Sequence, residues 1–491
     1  MNKRIIVYNL GKIMVMASAL FLAPALVSLI YREKSIHCFL IPAFLMCAAG
    51  FICTRFKPQK HRAYAKEGFV TVAIMWMAFS VFGALPFVID GCIPSFVDAF
   101  FETVSGFTTT GSTILTDVEA LPKSVLFWRS LTHWVGGMGV LALAIALLPN
   151  ERGNDDARDS AVHLLRAESP GPTFGKLVSK LSHNSRILYG IYTVMTVTEI
   201  LLLLAGGMPL FDSIVNSFGT AGTGGFGIKN ASIGYYDSAY FDVVISIFML
   251  LFGVNFNIYY FLLTGKLMKI LKSEELRWYL GIVAAAVAAI AVNIAHLYDS
   301  AASALRYAFF QVSSIITTTG FVTADYELWP TLSKTILVLL MFVGACAGST
   351  GGGLKISRVI ILLKTAVKEL RYQINPREVR AVRCDGEPLD HSVVTGVSSY
   401  FGIYMLIMAL STLLISFNGK DPTTTFTAVV ACLNNIGPGL SEVGATGNFA
   451  GFSDFSKLVL SFDMLAGRLE LFPMLITFSP SIWKNSWKNS I

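Results

Sequence analysis

The sequence predicts an all-α integral membrane protein: a fourfold pseudo-symmetric repeat of helix, short pore helix, extended loop and helix, preceded by two N-terminal transmembrane helices. Three observations predict it. Of 491 residues, 54% are hydrophobic and 14% charged, and the mean hydropathy is +0.62, outside the range of an ordinary soluble domain. Apolar runs long enough to cross a hydrocarbon core of about 30 Å recur along the whole chain. Finally, four runs too brief to cross each end in a glycine-bearing turn.

The first apolar run, near 10–31, follows Lys3 and Arg4. It is long for a signal peptide and a second run follows soon after, so it reads as a retained helix. The four repeats then follow in order. Their first helices fall near 69–90, 185–206, 276–297 and 392–415, and their second helices near 124–148, 238–265, 332–368 and 455–480. The corresponding divisions are 1–66 for the N-terminal pair, then 67–150, 151–265, 266–372 and 373–491 for the repeats.

Charge sets the orientation. The net charge of +7 is concentrated in four clusters: Arg55, Lys57, Lys60, Arg62 and Lys66; Arg152, Arg158, Arg166, Lys176, Lys180 and Arg186; Lys266, Lys269, Lys272 and Arg277; Lys364, Lys368, Arg371, Arg377, Arg380 and Arg383. Each cluster borders a span, which by the positive-inside rule makes these the cytoplasmic loops rather than nucleic-acid contacts. The intervening segments carry more acid, namely Asp90, Asp98, Glu102, Asp117, Glu119, Asp212, Asp237, Asp299, Asp325, Glu327, Asp421, Glu442 and Asp454, and read as the outer face. An even number of spans puts both termini on the cytoplasmic side. Cys38, Cys47, Cys53, Cys92, Cys346, Cys384 and Cys432 lie mostly in apolar runs without metal-ligand spacing, and read as packing residues.

The four turns read Thr108-Thr109-Thr110-Gly111-Ser112, Ala221-Gly222-Thr223-Gly224-Gly225, Thr317-Thr318-Thr319-Gly320-Phe321 and Asn434-Asn435-Ile436-Gly437-Pro438. Set on Gly111, Gly224, Gly320 and Gly437, they stand roughly a hundred residues apart. At one fixed offset before these glycines lie Phe100, Ser213, Phe309 and Phe426. Downstream, a glycine recurs inside the next span at Gly136 or Gly137, Gly253, Gly344 and Gly467.

Non-helical backbone at membrane depth is tolerated only where protein or water surrounds it, so these turns line something. A half-helix entering from the outer face aims its negative C-terminal end inward, where it favours a cation. Four such segments around one axis replace a cation's hydration shell with backbone oxygens. Glycine supplies the backbone angles that a Cβ penalises.

On these residues the chain resembles the Trk/Ktr/HKT superfamily of K⁺ transporters, most closely its bacterial TrkH members. The resemblance spans essentially the whole chain. It is carried by SGFTTTGST at Ser105–Thr113, TTTGF at Thr317–Phe321, ACLNNIGPG at Ala431–Gly439, GSTGGGLKISR at Gly348–Arg358 and AGRLE at Ala466–Glu470. The second copy, around Gly222–Gly225, matches more loosely.

The resemblance implies a K⁺-binding filter at Thr109, Thr110 and Gly111, Gly222, Thr223 and Gly224, Thr318, Thr319 and Gly320, and Asn435, Ile436 and Gly437. In that superfamily a serine at the first filter position goes with Na⁺ and four glycines go with K⁺, so this chain is expected to select K⁺, with Rb⁺. It also implies an inner-membrane homodimer with one pore per chain, docked on a cytosolic ring of TrkA-type nucleotide-binding subunits. No cofactor is implied, and the only metal is the transported K⁺ at the filter.

The run from Gly344 to Gly353, with Gly348, Gly351 and Gly352 between, is too rich in small residues to hold a straight helix. It reads either as an unwound segment below the filter or as a small-residue packing face. The resemblance favours the first, an intramembrane gating loop. Arg468 lies inside the last apolar run, where an ionised group is costly unless it faces a path or a partner. The resemblance places it beside the gate as a barrier to cations; pairing with Glu470 is disfavoured by a spacing of two on a helix. His133 and Glu199, within spans, read more readily as packing residues than as a proton relay. A carrier for an organic solute would also use broken helices and repeats, but four alike turns suit a small ion better. An enzyme is disfavoured because no nucleophile-base, metal-hydrolase or nucleotide-loop motif is present.

Overall fold

The computed structural model describes residues 1–58, 65–139, 181–377, 381–480 and 483. Lys60, Arg62, the basic residues from Arg152 to Lys180, Arg380 and the distal part of the helix expected at 124–148 lie outside them. Among the described residues six helices are long and apolar enough to cross a bilayer: Lys3–Ile30, Ile36–Thr54, Lys66–Asp90, Arg186–Ala205, Glu274–Leu297 and His391–Ser416. The bent pair Ala239–Phe252 and Phe256–Leu263 adds a seventh. Their outward faces carry exposed Leu22, Leu29, Phe44, Val194, Leu406 and Leu413, an apolar surface suited to lipid and not to water. The protein is a multi-pass membrane protein.

The two N-terminal spans pack on each other through Gly11 and Gly50. A Cβ on Gly11 would sit 2.6 Å from the Gly50 carbonyl oxygen, and one on Gly50 would sit 2.9 Å from that of Gly11. Small residues thus let the two backbones touch.

The four short helices are Phe96–Phe107, Leu210–Gly222, Ala301–Ile316 and Pro422–Leu433. With 12, 13, 16 and 12 residues, they extend about 18 to 24 Å and fall short of a bilayer. Ser95, Ser300 and Asp421 cap three of the N-termini by accepting from Asp98 N, Ser303 N and Thr424 N, which starts each helix sharply at its wet end.

The second helices differ from expectation. The stretches 238–265 and 455–480, predicted as continuous spans, are each two helices. The first bends by 89° between Phe252 and Phe256, where the Asn255 side chain accepts from Asn257 N and starts a new helix. The second breaks after Arg468, with Glu470 at φ 60° and Leu471 at φ 59°, and restarts at Phe472–Phe478 with a proline in its first turn. Hydropathy runs unbroken across both because it reports solvent preference and not chain direction.

Gly253 and Gly467 sit beside these breaks, and Gly136, Gly253 and Gly467 each bring a second helix against the end of a short helix. A Cβ on Gly136 would overlap the carbonyl oxygen of Phe107, the last residue of the first short helix. One on Gly467 would overlap that of Leu433, the last residue of the fourth. One on Gly253 would lie 2.9 Å from Thr317 Cγ2. A two-stranded hairpin, Arg383–Cys384 against Glu387–Pro388, is a small addition to the all-helical expectation.

Candidate functional site

All four short helices end in the same way. The residue after the helical turn takes the left-handed conformation: Thr109 and Thr223 at φ 54°, Thr318 at 57°, Asn435 at 56°. Its N–H donates three residues back, to Gly106, Thr220, Ile315 and Cys432, and the next N–H donates five back, from Thr110, Gly224, Thr319 and Ile436 to Ser105, Gly219, Ser314 and Ala431. This pair of bonds satisfies the helix's last carbonyls and turns the chain sharply. Three of the four left-handed residues are β-branched threonines, where such a conformation costs of order 1–3 kcal/mol each. Strain repeated at three of four equivalent positions, with asparagine at the fourth, points to a shared functional constraint.

Two residues further on, each chain again has positive φ: Gly111 at 84°, Gly225 at 72°, Gly320 at 85° and Gly437 at 96°. The second repeat is therefore shifted by one from the sequence alignment. Gly225 occupies the glycine position, Thr223 and Gly224 occupy the positions of Thr109 and Thr110, and Gly222 is the last residue of the short helix. Three glycines in four residues hid the register, although the Gly225-Phe226 pair parallels Gly320-Phe321.

The loops close into a ring. A Cβ on Gly111 would overlap the carbonyl oxygen of Gly224, one on Gly225 that of Thr319, and one on Gly320 that of Ile436; one on Gly437 would lie 2.8 Å from that of Thr110. Each glycine thus lies against the next repeat's carbonyl, and the fourth returns to the first. Thr108–Thr110, Thr223, Thr317–Thr319, Asn434 and Asn435 are buried.

Directly against this ring lies the unwound segment 344–355, between helices Thr331–Val343 and Ile356–Ile374. Gly344, Gly348 and Gly353 have φ of 69°, 70° and 77°, so the run is an irregular, turn-containing loop and not a packed small-residue helix face. Gly352 N donates to Thr318 Oγ1 at 2.6 Å and Gly353 N to Asn434 O at 3.0 Å. A Cβ on Gly351 would sit 2.8 Å from Thr317 O, and one on Gly352 would overlap Asn434 O. From the other side Arg468 donates to Thr350 O at 2.8 Å and to Gly136 O and Gly137 O at 2.5 and 2.6 Å. Glu470 pairs instead with Arg358, whose guanidinium lies over the Tyr400 ring.

The family of cation transport proteins TrkH matches residues 37–485. The chain is 36% identical over 490 residues to the Trk system potassium uptake protein TrkH of Salmonella typhimurium, covering 99% of this chain and 100% of that protein. It is 35% identical over 488 residues to the Trk system potassium uptake protein TrkG of Escherichia coli K12, covering 98% and 99%. The chain belongs to the TrkH family. Its fold agrees: the crystal structure of the potassium transporter TrkH from Vibrio parahaemolyticus, 33% identical, matches with a TM-score of 0.87 over 98% of this chain and 100% of that one. These relatives are named as transporters and not as enzymes.

Around the ring, this TrkH-family chain has supports that the sequence did not disclose. Glu102 and Arg129 form a buried ion pair at 2.7 Å. Glu102 also accepts from Ile114 N at 3.0 Å and Thr113 Oγ1 at 2.9 Å, while Arg129 donates to Gly227 O at 3.2 Å and lies 4.0 Å over the Phe226 ring. The pair therefore fastens the exits of loops one and two. Arg129→Met is expected to destabilise the protein by about 3–5 kcal/mol by stranding Glu102, and Arg129→Met with Glu102→Gln to recover part of that loss. Thermal unfolding in detergent checks both; a single variant as stable as wild type would remove the pair from this role.

His133 is a strut, not a relay. Its Nδ1 donates to Gly106 O at 2.8 Å and its Nε2 accepts from Phe226 N at 3.2 Å, so both ring nitrogens are committed to main chain, of the first short helix and of loop two. Glu199 is fully buried on the helix Leu181–Ala205. Two exposed acidic residues tie loops together: Asp117 accepts from Asn230 Nδ2 at 2.9 Å and Glu119 from Lys229 Nζ at 3.1 Å. The Asn230 amide holds the Asp117 carboxyl below the usual carboxylate range.

Proposed function

We propose that this chain takes up K⁺ across a bacterial inner membrane through one filter of main-chain oxygens. The filter residues are Thr109, Thr110 and Gly111; Thr223, Gly224 and Gly225; Thr318, Thr319 and Gly320; and Asn435, Ile436 and Gly437. The observation that carries this reading is the cyclic contact of each repeat's glycine with the next repeat's carbonyl. Four helix C-termini end at that ring, and their dipoles favour a cation there. Carbonyl oxygens then replace its hydration shell. The names of the relatives, potassium uptake proteins, supply the ion.

In this reading segment 344–355 and Arg468 form the gate below the filter, the termini and basic loops face the cytoplasm, and the chain divides into an N-terminal pair and four pore repeats. The chain works as a homodimer on a cytosolic TrkA-type nucleotide-binding ring, with Lys266, Lys269, Lys272, Lys364, Lys368 and Arg371 on the receiving face. Rb⁺ follows K⁺.

Expression in cells lacking K⁺ uptake is expected to restore growth at low K⁺ and to drive Rb⁺ uptake, with little Na⁺. Gly111→Ser is expected to lower the preference for K⁺ over Na⁺, because its Cβ overlaps Gly224 O and forces the ring open. Unchanged relative permeability would take Gly111 out of the filter.

A further inference from the structure

The segment 344–355 is held by main-chain contacts to the ring on one side. Away from the ring it is tied by Arg468 at Thr350 O, by main-chain bonds to the bend at 252–256 (Cys346 N to Gly253 O, Thr350 N to Phe252 O, Phe256 N to Gly348 O), and, at Ala347, by a carboxylate. Glu275, in the first turn of the helix Glu274–Ile294, accepts from Ala347 N at 2.7 Å and from Ser357 N at 3.3 Å, both on Oε1. One donor lies within the segment and the other just inside the helix that follows it. A charged acceptor on two otherwise orphaned N–H groups is among the stronger hydrogen-bonded arrangements a protein can make.

The neighbouring residue faces a different structure. Glu274 N donates to Asp385 Oδ1 at 2.7 Å, at the tip of the hairpin Arg383–Pro388. The Glu274 carboxylate pairs with Lys364 at 2.6 Å, and Lys364 Nζ also donates to Arg383 O at 2.8 Å. Adjacent residues of one helical turn therefore hold the hairpin and the segment. A rigid turn cannot shift one without shifting the other.

We propose that Glu275 is the latch that keeps segment 344–355 in place, and that the hairpin Arg383–Pro388 is the handle through which the latch is moved. This rests on the reading of that segment as the gate, but the latch itself is a statement about position. Asp385, Gly386 and Glu387 at the hairpin tip are exposed, while Ala347 is buried. Displacement of the hairpin pulls the first turn, withdraws the carboxylate from Ala347 and Ser357, and loosens the segment at Cys346–Ala347.

A native probe lies beside the latch: Cys346 is fully buried and precedes Ala347. In the full chain reconstituted in liposomes, maleimide modification of Cys346, followed by peptide mass spectrometry, reports release of the segment. Glu275→Ala is expected to speed Cys346 modification about tenfold or more, as for loss of a charge-assisted hydrogen bond. Asp385→Ala, a change on the exposed hairpin that leaves the latch residue in place, is expected to speed it by a smaller factor, and Glu275→Gln, which keeps one acceptor oxygen, to fall between wild type and Glu275→Ala. K⁺ flux is measured on the same vesicles. Wild-type modification rates in both Glu275 variants would overturn the latch, and a wild-type rate in Asp385→Ala would overturn the handle. Faster modification with unchanged K⁺ flux would uphold the latch and overturn the gate reading.

Discussion

Gly225→Ala is expected to reduce K⁺ uptake to below about a hundredth of wild type, the effect of roughly 3 kcal/mol of misfit at the ion path. Two terms add. At φ 72° an alanine is strained in itself, and its Cβ would overlap Thr319 O and lie 3.0 Å from Gly320 C. Both are backbone atoms of the next loop, so relief requires moving the ring. Gly224→Ala differs. Gly224 is not among the positive-φ glycines, and its Cβ would meet the ring of His133, a side chain. Adding His133→Ala is therefore expected to restore part of the uptake lost in Gly224→Ala, and to restore none in Gly225→Ala. Rb⁺ uptake by the four variants decides it. If Gly225→Ala transported normally, or was rescued by His133→Ala, the assignment of Gly225 to the glycine position would be wrong.

The spans and the four short helices were legible because hydropathy and length are properties of a single stretch of chain. A run such as Phe96–Phe107, bounded by the capping Ser95 and a glycine turn, announces its type, place and end. What decides the rest is set by other stretches. Whether Gly224 or Gly225 carries the positive φ depends on where Thr319 lies, and three candidate glycines in four residues left the choice to that contact. The break at Asn255 follows a capping signal hidden in an apolar run, and the restart at Phe472 a proline that an apolar window averages away. Long-range partners are least legible. Glu102 and Arg129 are 27 positions apart, and Glu275 and Ala347 72 apart. Helical spacing argued against a pair between Arg468 and Glu470, but nothing local named Arg358 as the partner Glu470 has.

Arg468→Ala is expected to raise K⁺ flux through the chain, measured without any partner, by about ten- to a hundredfold. On the proposed reading of Arg468 as part of the gate, two distinct effects add. Mechanically, its guanidinium spans from Thr350 O in segment 344–355 to Gly136 O and Gly137 O at the end of the first repeat's second helix, bridging the segment to the wall opposite its own repeat. Electrostatically, a fixed positive charge opposes a passing cation, by about 4 kcal/mol at roughly 4 Å and an effective dielectric near 20 and by less at longer range. Alanine removes both effects. Arg468→Lys separates them, since it keeps the charge but a compact ammonium cannot fork between Thr350 and the Gly136–Gly137 pair. Flux near wild type in Arg468→Lys assigns the barrier to charge, and flux near that of Arg468→Ala assigns it to the bridge. Flux unchanged in Arg468→Ala would mean that neither operates, and that the path is closed by the main chain of segment 344–355 alone.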